Sequence, residues 1–254
     1  MLTARQQHCL NGIGITAWQL RSSISVNSEI EEPVVEQISE QPIQQRIPVV
    51  APAEQETETT KKIEPETFDL SDWPQTLQAI EACHNCELAN NCTRKVPGKG
   101  LQQADLMIIG EAPGHDEDVQ GIPFVGRAGQ LLDKILQAIE LDPDNVYITN
   151  ILKCRPPNNR DPHADEVLAC SQFLEAQIKL VQPKVLLSVG RISAQNLLKD
   201  HSPLGRLRGK SHVLPNTELP LLVTYHPAYL LRNPYEKAKV WQDMKALHRL
   251  LNNE

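Results

Sequence analysis

Four short apolar runs, set between segments of helical periodicity, constrain this chain more than any other feature. They are Asp105–Gly110 (DLMIIG), Val146–Ile151 (VYITNI), Val185–Val189 (VLLSV) and Leu221–Thr224 (LLVT). Their apolar residues run on without regular polar alternation, so each predicts a strand buried on both faces, as in a parallel sheet covered by helices. Gln130–Glu140, His163–Val181, Ser193–Leu198 and Tyr235–Leu251 carry apolar residues at helical spacing and supply the covering layers. Strand–helix alternation of this kind predicts an α/β fold. Ligands in such folds sit outside the carboxyl ends of the strands.

The alternation lies within residues 73–254, which are expected to form one domain. Residues 25–72 are rich in Glu, Gln, Pro and Thr, as in EIEEPVVEQISEQPIQQ, and are too polar to offset the entropy of ordering; they predict a disordered linker. The charge divides the same way. Residues 1–72 hold five Lys/Arg and twelve Asp/Glu, which accounts for the whole net charge of −7, whereas residues 73–254 hold twenty of each. The domain is therefore neutral overall, and a locally basic face remains available to a nucleic-acid backbone. Within residues 1–24, Ile13, Ile15, Trp18 and Leu20 can cluster if the segment folds against a partner. No run approaches the roughly 18 apolar residues of a membrane span, and the first residues lack the pattern of a secretory signal. The expectation is a cytoplasmic protein.

Six cysteines in such a chain point to metal ligation or burial rather than disulfides. Cys83 and Cys86 form a CxxC pair, and Cys154 and Cys170 stand sixteen positions apart across a strand-to-helix connection. Four thiolates suit zinc or an iron–sulfur cluster, and the chemistry of the set does not choose between them. Cys92 lies near the first pair and is read as spare; Cys9 is remote and read as unligated.

The unusual residues gather after the strands. The first strand runs into GEAPGHDEDVQGIPFVGRAG, which matches neither a Walker loop nor a GxGxxG dinucleotide loop. Its glycines permit close backbone approach to a ligand. Glu111 follows the buried strand directly, Glu117 lies in the same loop, and Phe124 sits between Pro and Val in a chain with three Phe in all. Asn150 ends the second strand; its amide can donate to a carbonyl and accept from an N–H, the pattern of an imide edge. His226 opens HPAYLLR after the fourth strand.

Taken in order, CHNC, GEAPGHDEDVQGIPFVGRAG, YITNILKCRPPNNR, the Cys170 helix, LRGK and HPAYLLRNP resemble the family 4 (iron–sulfur) uracil-DNA glycosylases, over about Cys83 to Leu251. The resemblance implies a three-layer α/β/α sandwich around a four-stranded parallel sheet. It implies a [4Fe–4S] cluster on Cys83, Cys86, Cys154 and Cys170. It implies a monomeric, monofunctional enzyme that hydrolyses the N-glycosidic bond of uracil in single- and double-stranded DNA. Motif by motif, Gly110 and Ala112 border the substrate, Glu111 is catalytic and Glu117 is a second candidate carboxylate. Phe124 stacks on the flipped uracil, Asn150 reads its O4/N3 edge, and His226 contacts O2. Leu230 and Arg232 face the DNA.

The better-known branch of the superfamily carries GQDPYH, with an Asp and a Tyr where this chain has Ala112 and Gly114. Which carboxylate serves water, and how thymine is refused, are therefore left open by the resemblance. GITAWQLR is similar to the start of the psi subunit of bacterial DNA polymerase III, which implies a clamp-loader contact for residues 1–24. Two other functions compete: a non-catalytic iron–sulfur DNA-binding protein, and a glycosylase for hypoxanthine or xanthine. The set Glu111, Phe124, Asn150 and His226 argues against the first, and Asn150 against the second.

Overall fold

A computed structural model describes residues 68–252, together with residues 7, 11, 12 and 14. Apart from these, the segment expected at 1–24 and the linker as far as residue 67 lie outside the described residues. In chain order the elements are α1 (Trp73–Ala82), α2 (Leu88–Asn91), β1 (Lys99–Gly100), β2 (Leu106–Gly110), α3 (His115–Gln120), α4 (Arg127–Ala138) and β3 (Tyr147–Asn150). They continue as α5 (Ala164–Val181), β4 (Val185–Val189), α6 (Arg191–Leu198), α7 (Leu204–Leu207), β5 (Ser211–Val213), β6 (Pro220–Thr224), α8 (Pro227–Arg232) and α9 (Lys237–Asn252).

The strands form one sheet in the order β1-β3-β2-β4-β6-β5. The inner four, β3, β2, β4 and β6, are parallel, as their apolar runs predict. The two edge strands pair antiparallel, β1 with β3 and β5 with β6, so the expected four-stranded sheet is the centre of a mixed six-stranded one. β1 has two residues and β5 three, too few to carry a periodic signal, and both keep exposed positions at a sheet edge.

The inner strands read as unbroken apolar runs because each supplies both faces. Leu106, Ile108, Ile148, Val185, Leu187 and Leu222 enter one core with α4 and α9; Met107, Ile109, Tyr147, Leu186 and Leu221 enter the other with α1 and α5. Side chains alternate across a strand, so a sheet with two covered faces has no polar side to show. Packing on the second core begins at Phe68 and Leu70; the Phe68 ring lies 5.5 Å from that of Phe173.

The loop after β2 contains a helix that periodicity did not predict, because α3 is only six residues long. Asp116, Glu117 and Asp118 occupy its first turn, where carboxylates complement the helix dipole. Gly121 ends it in the left-handed conformation (φ 74°), which favours glycine. HPAYLLR likewise forms a short helix, with His226 as its N-cap and Pro227 in its first turn.

Candidate active site

β2, β3 and β6 end at the same edge of the sheet, and Gly110 of β2 is in register with Asn150 of β3. A cleft of about 450 Å³ opens there. Glu111, Ala112, Glu117, Phe124, Asn150, His226 and Arg232 line it, so the strand-end residues singled out in the sequence share one site.

Gly110 makes the back of this site possible. A Cβ there would run into Asn150 Oδ1 and stand 3.0 Å from two ring carbons of Phe124. Asn150 is buried, and among the described residues only its main chain is engaged; its side-chain amide faces the cleft unpaired. A buried amide normally finds partners inside the protein, so an open one in a cleft wall is ready for a ligand.

Phe124 adopts φ 53°, a left-handed conformation unfavourable for an aromatic residue. Three contacts hold it there. Glu117 Oε1 accepts the N–H groups of Val125 and Gly126, each at 3.2 Å. Lys99 Nζ donates to the Phe124 carbonyl at 3.3 Å. Gly129 lets α4 lie against the Phe124 main chain, where any Cβ would collide with the carbonyl. The ring stacks on His226, with centroids 5.6 Å apart and planes 29° apart.

His226 Nδ1 accepts the N–H of Ala228 at 3.1 Å. The neutral ring therefore carries its proton on Nε2, the nitrogen left free to donate. Burial, assisted by the Arg232 cation, lowers the His226 pKa to about 4, so the neutral ring dominates near pH 7.

Glu111 has the opposite shift. Burial first, and then the charge of Asp161, raise its pKa to about 7, against the opposing Arg191 cation. Asp161 and Arg191 pair at 2.6 Å. Neither was singled out in the sequence. Asp161 belongs to the NNRDP stretch beside a recognised motif, whereas Arg191 is brought in only by the β4–α6 connection. A carboxyl group poised near neutrality in a cleft is suited to exchange a proton with water.

Leu230, expected to face DNA, is fully buried in the core between the sheet, α4 and α9. The exposed leucine of that turn is Leu231, at 38%. One residue along a helix turns a side chain by about 100°, so the two neighbours cannot share a face.

The four expected cysteines line one cavity away from the cleft. Cys154 and Cys170 are buried, and Cys83 and Cys86 half-buried. Burial, reinforced by the neighbouring thiols Cys86 and Cys83, pushes Cys170 up to about 11. Contact with Cys92, then burial, pushes Cys154 up as well. Crowded thiols oppose each other's ionisation, and a bound cationic group reverses that. Among the described residues no group of three or more His, Cys, Asp and Glu side chains is arranged to hold a metal ion. The cavity that these cysteines help to line measures about 10 Å³, and a set of four thiols is of the kind that holds zinc or an iron–sulfur cluster.

An open amide, a stacked aromatic ring and a neutral imidazole thus meet at the carboxyl edge of the parallel strands of an α/β fold. The family model described as Uracil DNA glycosylase superfamily matches residues 97–245. A type-4 uracil-DNA glycosylase of Sulfurisphaera tokodaii is 42% identical over 180 residues, covering 68% of this chain and 82% of the relative. One of Archaeoglobus fulgidus is 38% identical, covering 68% and 90%, and one of Saccharolobus solfataricus 40% identical, covering 69% and 84%. The chain belongs to the uracil DNA glycosylase superfamily, in its type-4 branch.

Proposed function

We propose that this protein hydrolyses the N-glycosidic bond of uracil in single- and double-stranded DNA, releasing uracil and leaving an abasic site for base excision repair. The observation that carries this reading is the Asn150 amide, open in the cleft wall between Phe124 and Gly110. A duplex hides the bond to be cut, so the base is flipped into the cleft and stacked on Phe124. Asn150 then donates to O4 and accepts from N3–H. Cytosine presents the reverse pattern and is refused. Gly110 and Ala112 bring main chain against the base.

Cleavage leaves negative charge on the uracil and positive charge on the sugar. The neutral His226 ring donates from Nε2 to O2 as the first develops. Glu111 faces the second and takes a proton from water. Glu117 is engaged with two main-chain N–H groups and shapes the loop, so the acid–base work falls to Glu111. Arg232 meets the DNA backbone at the mouth of the cleft. Among the described residues no lysine lines the cleft, which favours hydrolysis without a lyase step.

Cys83, Cys86, Cys154 and Cys170 hold a [4Fe–4S] cluster, which cross-links α1, the segment after β3, and α5. The domain expected at 73–254, extended by the packed Phe68 and Leu70, is the catalytic unit and acts as a monomer in the cytoplasm. The rest of the linker expected at 25–72 serves as a tether, and residues 1–24 contact the clamp loader through their apolar patch. Among the described residues no helix is long and apolar enough to cross a membrane.

Purified protein incubated with single- and double-stranded uracil oligonucleotides, then treated with alkali, is expected to give strand scission at uracil and not at cytosine. No scission on either substrate discards the enzyme reading. Scission before alkali discards the monofunctional one. Anaerobically purified protein is expected to be brown and to carry iron; zinc in its place overturns the cluster. Deleting residues 1–24 is expected to abolish co-purification with the clamp loader.

A further inference from the structure

LRGK (residues 207–210) is a recognised motif to which the hydrolysis proposed above gives no task. Its Leu207 is buried, and Arg208 follows α7 with its side chain 13% exposed. The guanidinium makes a two-point pair with Asp243 of α9: Nε donates to Oδ2 at 3.2 Å and Nη2 to Oδ1 at 2.7 Å. Nη2 also donates to the Lys239 carbonyl at 2.8 Å. Asp243 is buried, and its Oδ2 accepts the Thr224 hydroxyl at 2.8 Å. The guanidinium carbon lies over the Tyr225 ring, 5.4 Å from its centroid. That ring stacks on Tyr229, with centroids 5.0 Å apart and planes 27° apart.

These contacts converge on the junction between β6 and α8. Thr224 ends β6, His226 caps α8, and Tyr225 is the single residue between them. Tyr229 belongs to α8 and lines the cleft. Asp243 thus holds the strand end, Arg208 covers the ring of the connecting residue, and that ring holds the helix that follows. A buried ion pair is weak evidence of stability, since apolar residues of similar volume often serve as well. What a bidentate pair adds is direction. A planar guanidinium can hold a carboxylate with its edge and cover an aromatic ring with its face, whereas the point charge of lysine has neither edge nor face.

We propose that Arg208 is a positioning residue for base excision: paired with Asp243 and set over Tyr225, it fixes the β6–α8 junction so that the His226 ring stands where the uracil O2 is held. This rests on the glycosylase reading given above. Among the described residues Arg208 is not one that lines the cleft, so it acts through Tyr225 and the chain on either side of it. His226 donates as charge develops on the uracil, so its misplacement slows cleavage more than it weakens binding.

The test uses the full-length protein and single-turnover cleavage of a uracil oligonucleotide at saturating protein, well below the melting temperature, with melts and DNA affinity measured alongside. Wild type that does not cleave overturns the glycosylase reading and this proposal with it. With wild type active, Arg208→Met leaves Asp243 buried and unpaired and is expected to lose both stability and rate. Adding Asp243→Leu to it removes the unpaired charge. This double variant is expected to regain the melting temperature yet to cleave about 100-fold more slowly, with DNA affinity within about threefold of wild type. If it regains the rate along with the stability, the pair is structural and the proposal is overturned. Arg208→Lys keeps a cation without the fork, so it serves even where the double variant does not fold. It is expected to slow cleavage about 10–100-fold with DNA affinity little changed, and a wild-type rate in Arg208→Lys overturns the proposal. A fall in affinity as large as the fall in rate places Arg208 in DNA binding instead and overturns it too.

Discussion

Gly110→Ala adds a single methyl group where the pocket leaves no room. The backbone of Gly110 is ordinary strand, so alanine brings no conformational penalty, and the effect is steric alone. The new Cβ would overlap Asn150 Oδ1 and lie 3.0 Å from Phe124 Cε2 and Cζ. Comfortable carbon–carbon contact begins at about 3.5 Å, so the ring must retreat by about 0.5 Å and the amide by more. Phe124 has little freedom to retreat, because its main chain is held by Lys99, Glu117 and the close approach of Gly129. Misplacement of a positioning group by about 1 Å lowers rates by about 10²-fold, or about 2.7 kcal/mol of transition-state stabilisation. Overpacking of this size destabilises the fold by about 1–3 kcal/mol. Single-turnover cleavage of a uracil oligonucleotide, with thermal melts alongside, measures both effects. Gly205→Ala is the control, since nothing lies within 4 Å of a Cβ there. If Gly110→Ala cleaves within about threefold of wild type, the pocket yields more easily than this packing allows.

Glu111 sets a pH dependence. With Glu111 as the proposed base and its pKa raised to about 7, the single-turnover rate is expected to rise through pH 7 and flatten above it. Glu111→Gln should abolish that limb; a profile that keeps it assigns the proton to another group. The same raised value has a stability consequence. Its contribution is complete below the unfolded value near 4.5 and is lost as pH rises through about 7, so Glu111→Gln should melt increasingly above wild type over that window. Glu117→Ala removes the acceptor of two N–H bonds and is expected to lower stability by about 1.5–3 kcal/mol and raise KM, while Glu117→Gln keeps much of both; loss of activity with unchanged stability and KM would instead place Glu117 in the chemistry. Leu230→Ala should destabilise the fold by about 2–5 kcal/mol, as its full burial requires. Leu231→Ala should leave the melting temperature unchanged and weaken DNA binding, and equal melting losses in the two variants would contradict the helix-face assignment.

The inner strands were legible because burial on both faces writes the same apolar signal at every position, independent of partners. The strand ends were legible too, since Glu111 and His226 follow such runs and Asn150 ends one, and parallel strands deliver their carboxyl ends to one edge. The edge strands β1 and β5 were not, because two or three residues carry no period and their pairing depends on a neighbour far along the chain. The burial of Lys153 was not legible either, because it depends on contacts such as that with Gln177, 24 positions away.

By itself the sequence determined the layered α/β architecture, the grouping of candidate residues at strand ends and the family to which the chain belongs. Each is a matter of residue order and local period. The tertiary structure decided what those residues are chemically. The Ala228 N–H selects the His226 tautomer. Burial and Asp161 raise Glu111 to about 7. Two main-chain N–H groups tie Glu117 to the loop that carries Phe124, and helix phase sends Leu230 inward and Leu231 outward. Protonation and orientation follow from the dielectric and the hydrogen-bond partners around a group, and folding assembles those from distant parts of the chain.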